Sequence, residues 1–83
     1  MFDCFITFRS LTAAQRGEQV LLHAGIPVQM QRTPQAIAVQ GCGYSLRMGA
    51  FWCMAATREL SRNQLAPGRV YRKGAQGFQE VVL

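Results

Sequence analysis

The stretch Ala24-Gly25-Ile26-Pro27-Val28 restricts the folds open to this chain more than any other. Glycine is the residue that most readily ends a helix in the left-handed conformation, and an apolar residue after it makes the usual closing contact. Proline cannot continue a helix, and valine favours a strand. A helix must therefore stop and a strand begin within five residues. Upstream, Leu11, Ala14, Gly17, Leu21 and Ala24 recur at helical spacing, with Ala13 and Val20 widening the stripe. Gln15, Arg16, Gln19 and His23 fall outside it, so His23 is expected on the outer face near the helix end, where a cation suits the macrodipole. Ser10 has the chemistry of an N-cap for a helix over 11–24. Gly17 costs about 1 kcal/mol of helix propensity relative to alanine, and close packing on a sheet would explain it.

On either side of this helix the pattern is that of strands. Residues 2–8 are rich in β-formers, and alternation places Phe2, Cys4, Ile6 and Phe8 on one face and Asp3, Phe5 and Thr7 on the other. Residues 28–31 alternate apolar and polar before Thr33-Pro34 breaks the run, and residues 35–39 read either as a short helix or as an extended arm. A third strand follows at Tyr44-Ser45-Leu46-Arg47-Met48, and Gly49 separates it from a second helix over 50–63. The first turns of that helix are apolar nearly all round, and adjacent Phe51 and Trp52 cannot both face the sheet. Arg58 and Arg62 lie in its last turns, and Cys53 in its apolar half reads as buried and inert. Pro67-Gly68 turns the chain into a fourth strand over 69–72, and a hairpin-like loop over 73–77 leads to a fifth over 78–82. The order β-α-β-β-α-β plus one terminal strand predicts an α+β, two-layer ferredoxin-like sandwich of residues 1–83 as a single domain. A chain of this length has only a thin core to bury, which suits two layers.

Composition narrows the function classes. Hydrophobic residues make up 49% and charged residues 16%, a globular balance. The longest apolar cluster, residues 49–56, is far shorter than the ~20 residues that span a bilayer. Met1-Phe2-Asp3 opens straight into a strand pattern with no basic leader, so the cytoplasm is the expected compartment. Three cysteines, an odd number, make a poor disulfide framework there, and Cys4 reads as a core residue. One histidine and no Cys-x-x-Cys spacing speak against a zinc site, and no other cofactor is implied. Nine Lys and Arg against four Asp and Glu give a net charge of +5, favouring acidic partners. The basic residues are scattered, however, except at Arg69-Val70-Tyr71-Arg72-Lys73.

Chemistry concentrates at Gln40-Gly41-Cys42-Gly43-Tyr44. A cysteine between Gly41 and Gly43 sits on a bendable, accessible piece of chain. Thiol reactions run through the thiolate, which nearby cations and backbone N–H groups favour. Arg32 and Arg47 are the candidate cations. The competing reading makes Cys42 a small apolar residue at a tight turn.

The opening strand with Ser10 and its helix, Ala24-Gly25-Ile26-Pro27-Val28, Thr33-Pro34, Cys42-Gly43 and Arg47 follow one another in an order that resembles a family of small bacterial domains described as selenium/sulfur carrier protein-like, over residues 2 to about 60. The resemblance implies a non-enzymatic carrier that holds sulfur or selenium on Cys42 as a persulfide or selenosulfide. Its partners would be a donor, such as a cysteine desulfurase, and an acceptor protein. The chain departs from the family pattern at Gln35 after the proline and at apolar Ala36-Ile37-Ala38-Val39, while the loop at Arg72-Lys73-Gly74 and the last strand look specific to it. Two other readings stand beside this one. A ferredoxin-like sheet with Phe5 and Tyr71 on an open face would bind RNA, although Tyr44-Ser45-Leu46 lacks the usual RNA-stacking motif. A non-catalytic interaction module would use the edge strand over 78–82 to pair with a second copy as a homodimer.

Overall fold

In the computed structural model, which describes residues 3–38, 43–65 and 67–81, the chain runs β1 (Asp3–Phe8), α1 (Leu11–His23), β2 (Gln29–Arg32), a 3₁₀ turn (Gln35–Ile37), β3 (Tyr44–Gly49), a second 3₁₀ turn (Ala50–Trp52), α2 (Cys53–Arg62), β4 (Val70–Gly74) and β5 (Gly77–Glu80). The five strands form one sheet in the order β2-β3-β1-β4-β5, every neighbouring pair antiparallel. β1 is thus the central strand, held by β3 on one side and β4 on the other. Phe2 and Val82, expected at the outer ends of the first and last strands, lie outside the described residues.

The alternation expected of β1 is what sorts the two faces. Cys4, Ile6 and Phe8 join Leu46, Met48 and Val70 in one buried cluster with Ala14 and Leu21 of α1 and Ala56 and Leu60 of α2. Both helices therefore cover the same face. On the other face Phe5 and Tyr71 are buried beneath Ile37, with Phe78 packed against them. Phe5 and Phe78 meet edge to face, their ring centroids 5.3 Å apart. Segment 35–37, left open between helix and arm, is a single 3₁₀ turn whose Ile37 caps this smaller cluster.

Local signals set the helix ends. The Ser10 hydroxyl accepts from the Ala13 N–H at 3.1 Å, capping α1 as the sequence suggests. At the other end Gly25 has φ +82°, the Gly25 N–H donates to the Leu22 carbonyl at 3.0 Å, and the Ile26 N–H to the Leu21 carbonyl at 2.9 Å. That pair of bonds is a Schellman closure. Gly17 lies against the sheet: a Cβ there would sit 2.8 Å from Cζ of Phe8. The buried stripe of α1 is narrower than its spacing suggests, since Leu11 is exposed and only Ala14, Gly17 and Leu21 are buried. In the second helical stretch Trp52 packs on the core while Phe51 is 86% exposed, which settles how adjacent aromatics share one turn.

The cysteines correct an expectation. Cys4 is fully buried, as β1 alternation requires, but it is not a free thiol: it is disulfide-bonded to Cys53. Packing of α2 on the centre of the sheet brings their Cα atoms to 5.7 Å, within the range a disulfide spans. Cys53 is half-buried rather than buried. A separation of 49 residues with no recognisable spacing motif concealed the pair in the sequence.

Candidate functional site: the β2–β3 connection

The antiparallel pairing of β2 with β3 runs from Gln29 opposite Arg47 to Arg32 opposite Tyr44. One step further, the Thr33 N–H donates to the Gly43 carbonyl at 3.0 Å and closes the connection at its base. Pro34 then turns the chain into the 3₁₀ turn, and Ile37 anchors that turn on Phe5 and Tyr71. The described chain resumes at Gly43, immediately before β3. Cys42 and Gly41, the first two of the residues singled out by sequence, lie outside the described residues, as do Val39 and Gln40. A Cβ on Gly43 would meet nothing within 4 Å.

The two candidate cations are placed differently. Arg32 ends β2 beside the base of the connection, its guanidinium 5.7 Å from the centroid of the Tyr44 ring. Such stacking holds a cation in place while leaving it charged. Arg47 is four residues along β3 from Gly43, where its Nε and Nη2 donate to Oδ2 of Asp3 at 3.0 and 2.8 Å. The structure thus brings Arg32, Thr33 and Gly43 together and places Arg47 with Asp3 at the opposite end of β3.

Two hydroxyls on this part of the sheet escaped the sequence reading. Oγ of Ser45 and Oγ1 of Thr33 are buried and have no hydrogen-bond partner among the described residues. By alternation they share the face opposite the helices, Ser45 opposite Gln31 on β2 and Thr33 opposite Gly43. Orphaned buried hydroxyls are uncommon, because each forfeits about 1–3 kcal/mol of hydration. Serine in a strand run carries no signal of burial.

The aromatic residues considered for RNA do not form a platform: Phe5 is 4% and Tyr71 8% exposed. Among the described residues no group of three or more His, Cys, Asp or Glu side chains is arranged to hold a metal ion. His23 is exposed in the last turn of α1 and borders a shallow hollow with Gln19, Glu59 and Asn63. Among the described residues no helix is long and apolar enough to cross a membrane.

No curated protein and no solved structure matches the chain. A model of the family described as "Putative Se/S carrier protein-like" matches residues 3–72. The match runs about twelve residues past the point where the sequence resemblance was expected to end, taking in the end of α2 and most of β4, so Arg72 belongs to the shared part. Spanning most of the chain, it shows that this protein belongs to the Se/S carrier protein-like family.

Proposed function

We propose that the protein carries sulfur or selenium on Cys42 as a persulfide or selenosulfide and hands it to an acceptor protein. The observation that carries this reading is the family match over residues 3–72, which includes Cys42. A carrier needs one reachable thiol on a fixed support and no substrate cavity. Closure of the connection by the Thr33–Gly43 bond, and its anchoring through Ile37, support such a mount for the Cys42 segment. Arg32, held against Tyr44, is the cation we assign to favouring a sulfur anion there. Arg47, engaged with Asp3, we leave out of that role. In the step we assign, the Cys42 thiolate attacks the outer sulfur of a cysteine persulfide on a donor such as a cysteine desulfurase; the donor's S–S bond breaks and its cysteine leaves as the thiolate. The chain then acts as a courier, not as an enzyme, and the compartment we infer is the cytoplasm. We also assign the fold to the ferredoxin-like class, supported by β1 lying between β3 and β4 with both helices on one face.

The test is intact-mass and peptide analysis, without reductant, after incubation with a desulfurase and cysteine. One added sulfur on the Cys42 peptide is expected, and Cys42→Ser should remove it. An equal gain in Cys42→Ser would sink the assignment.

A further inference from the structure

The Cys4–Cys53 disulfide borders a cavity of about 210 Å³ lined by Cys4, Ala50, Cys53, Met54, Arg72 and Val81. Both cysteines contribute to the wall of this space. The two residues differ in access, since Cys4 is 0% exposed and Cys53 half-buried. Arg72 is the register partner of Cys4 on β4 and also lines the cavity, with its Nη2 donating to Oε1 of Gln79 at 3.2 Å. The pair also lies away from the carrier segment: Cys4 is opposite Met48, and five residues of strand, roughly 16 Å, separate Met48 from Gly43.

We infer that Cys53 is a thiol–disulfide exchange site for a low-molecular-weight thiol, separate from Cys42. In the first step the thiolate sulfur of the small thiol attacks Sγ of Cys53. A new disulfide forms between them, the Cys53–Cys4 bond breaks, and its electron pair leaves on Cys4, which takes a proton from water. A second molecule of the thiol then attacks the small-molecule sulfur of the mixed disulfide. It releases the Cys53 thiolate and a small-molecule disulfide, so the protein gains two electrons and two thiol molecules lose them. Attack falls on Cys53 because it is the more exposed of the two residues.

The experiment uses the full chain with Cys42→Ser, so that only this pair reports, and glutathione as the probe. After native incubation, samples are quenched with an alkylating reagent and mapped by mass spectrometry. Glutathione on Cys53 with alkylated Cys4 is expected, at a rate that doubles when glutathione doubles and is unchanged by urea below the unfolding transition. Glutathione on Cys4 would overturn the inference. So would a rate that levels off with glutathione or climbs steeply in mild urea, because the bond would then be reached only through unfolding. Alkylation of both cysteines before any thiol is added would also refute it, since no bond would have been present.

Discussion

Gly17 is the position where a single atom matters most to the packing of α1. The 2.8 Å approach to Cζ of Phe8 involves a ring that is 2% exposed and pinned inside the core, so the ring has little room to retreat. Alanine would improve helix propensity by about 1 kcal/mol. Overpacking of this kind costs about 1–3 kcal/mol, so the clash should win. Gly17→Ala is therefore expected to lower the midpoint of chemical denaturation with an unchanged m-value. A midpoint at or above that of the parent would mean that α1 can lift off the sheet without cost. The need for a small residue here was legible in the sequence, as a glycine in the buried stripe of a helix. The orphaned hydroxyls of Ser45 and Thr33 were not, because a hydroxyl's partners are set by folding across strands rather than by neighbours in the chain.

At the scale of elements, the two helices end in the same way with different residues. In α2 the Gln64 N–H donates to the Ser61 carbonyl at 3.0 Å and the Leu65 N–H to the Leu60 carbonyl at 2.9 Å, repeating the closure of α1. Gln64 takes the place that Gly25 holds in α1, at φ +61°. A side chain with a Cβ is penalised in that conformation by about 1 kcal/mol. Gln64→Gly should accordingly raise stability by several tenths to about 1 kcal/mol, measured as a higher denaturation midpoint. A lower midpoint would show that flexibility gained in the unfolded chain outweighs the strain removed. The end of α1 was legible because glycine and proline announce it; the end of α2 was not, because glutamine carries no such signal. The same distinction explains β4, which runs on to Gly74 where a loop was expected to start at Lys73. The cross-strand partners Asp3 and Phe78 hold Lys73 in the ladder, and its ammonium lies 5.3 Å from the Phe78 ring centroid.

For the whole molecule, the disulfide ties the middle of the sheet covalently to the start of α2. Closing a loop of 49 residues removes chain entropy from the unfolded state worth about 2–4 kcal/mol. A chain of 83 residues with a thin core has little stability to spare. Reduction of the pair, checked by thiol counting, is expected to lower the unfolding free energy by about that amount while the secondary structure seen by circular dichroism persists. No change in the denaturation midpoint on reduction would mean that the unfolded chain gains nothing from release. Alternation in β1, the period of α1 and the order of elements made the two-layer arrangement readable from the sequence. The pairing of Cys4 with Cys53, by contrast, depends on how α2 lies across the sheet, and periodicity does not carry that information. The same limit applies to the ion pair of Arg47 with Asp3, which depends on how β1 and β3 pair.

The central place of β1 also governs the order in which the chain can be built. Its partners are β3, beginning at residue 44, and β4, beginning at residue 70, so β1 leaves the ribosome well before either neighbour. The register pairs Asp3 with Lys73, a contact between residues 70 positions apart that no local folding event can anticipate. Until β4 emerges, one edge of β1 stands open, with Phe5 still lacking the cover of Tyr71. The sheet thus closes only once β4 is available, and a chain stalled before β4 would display an unpaired strand edge for chaperones to hold.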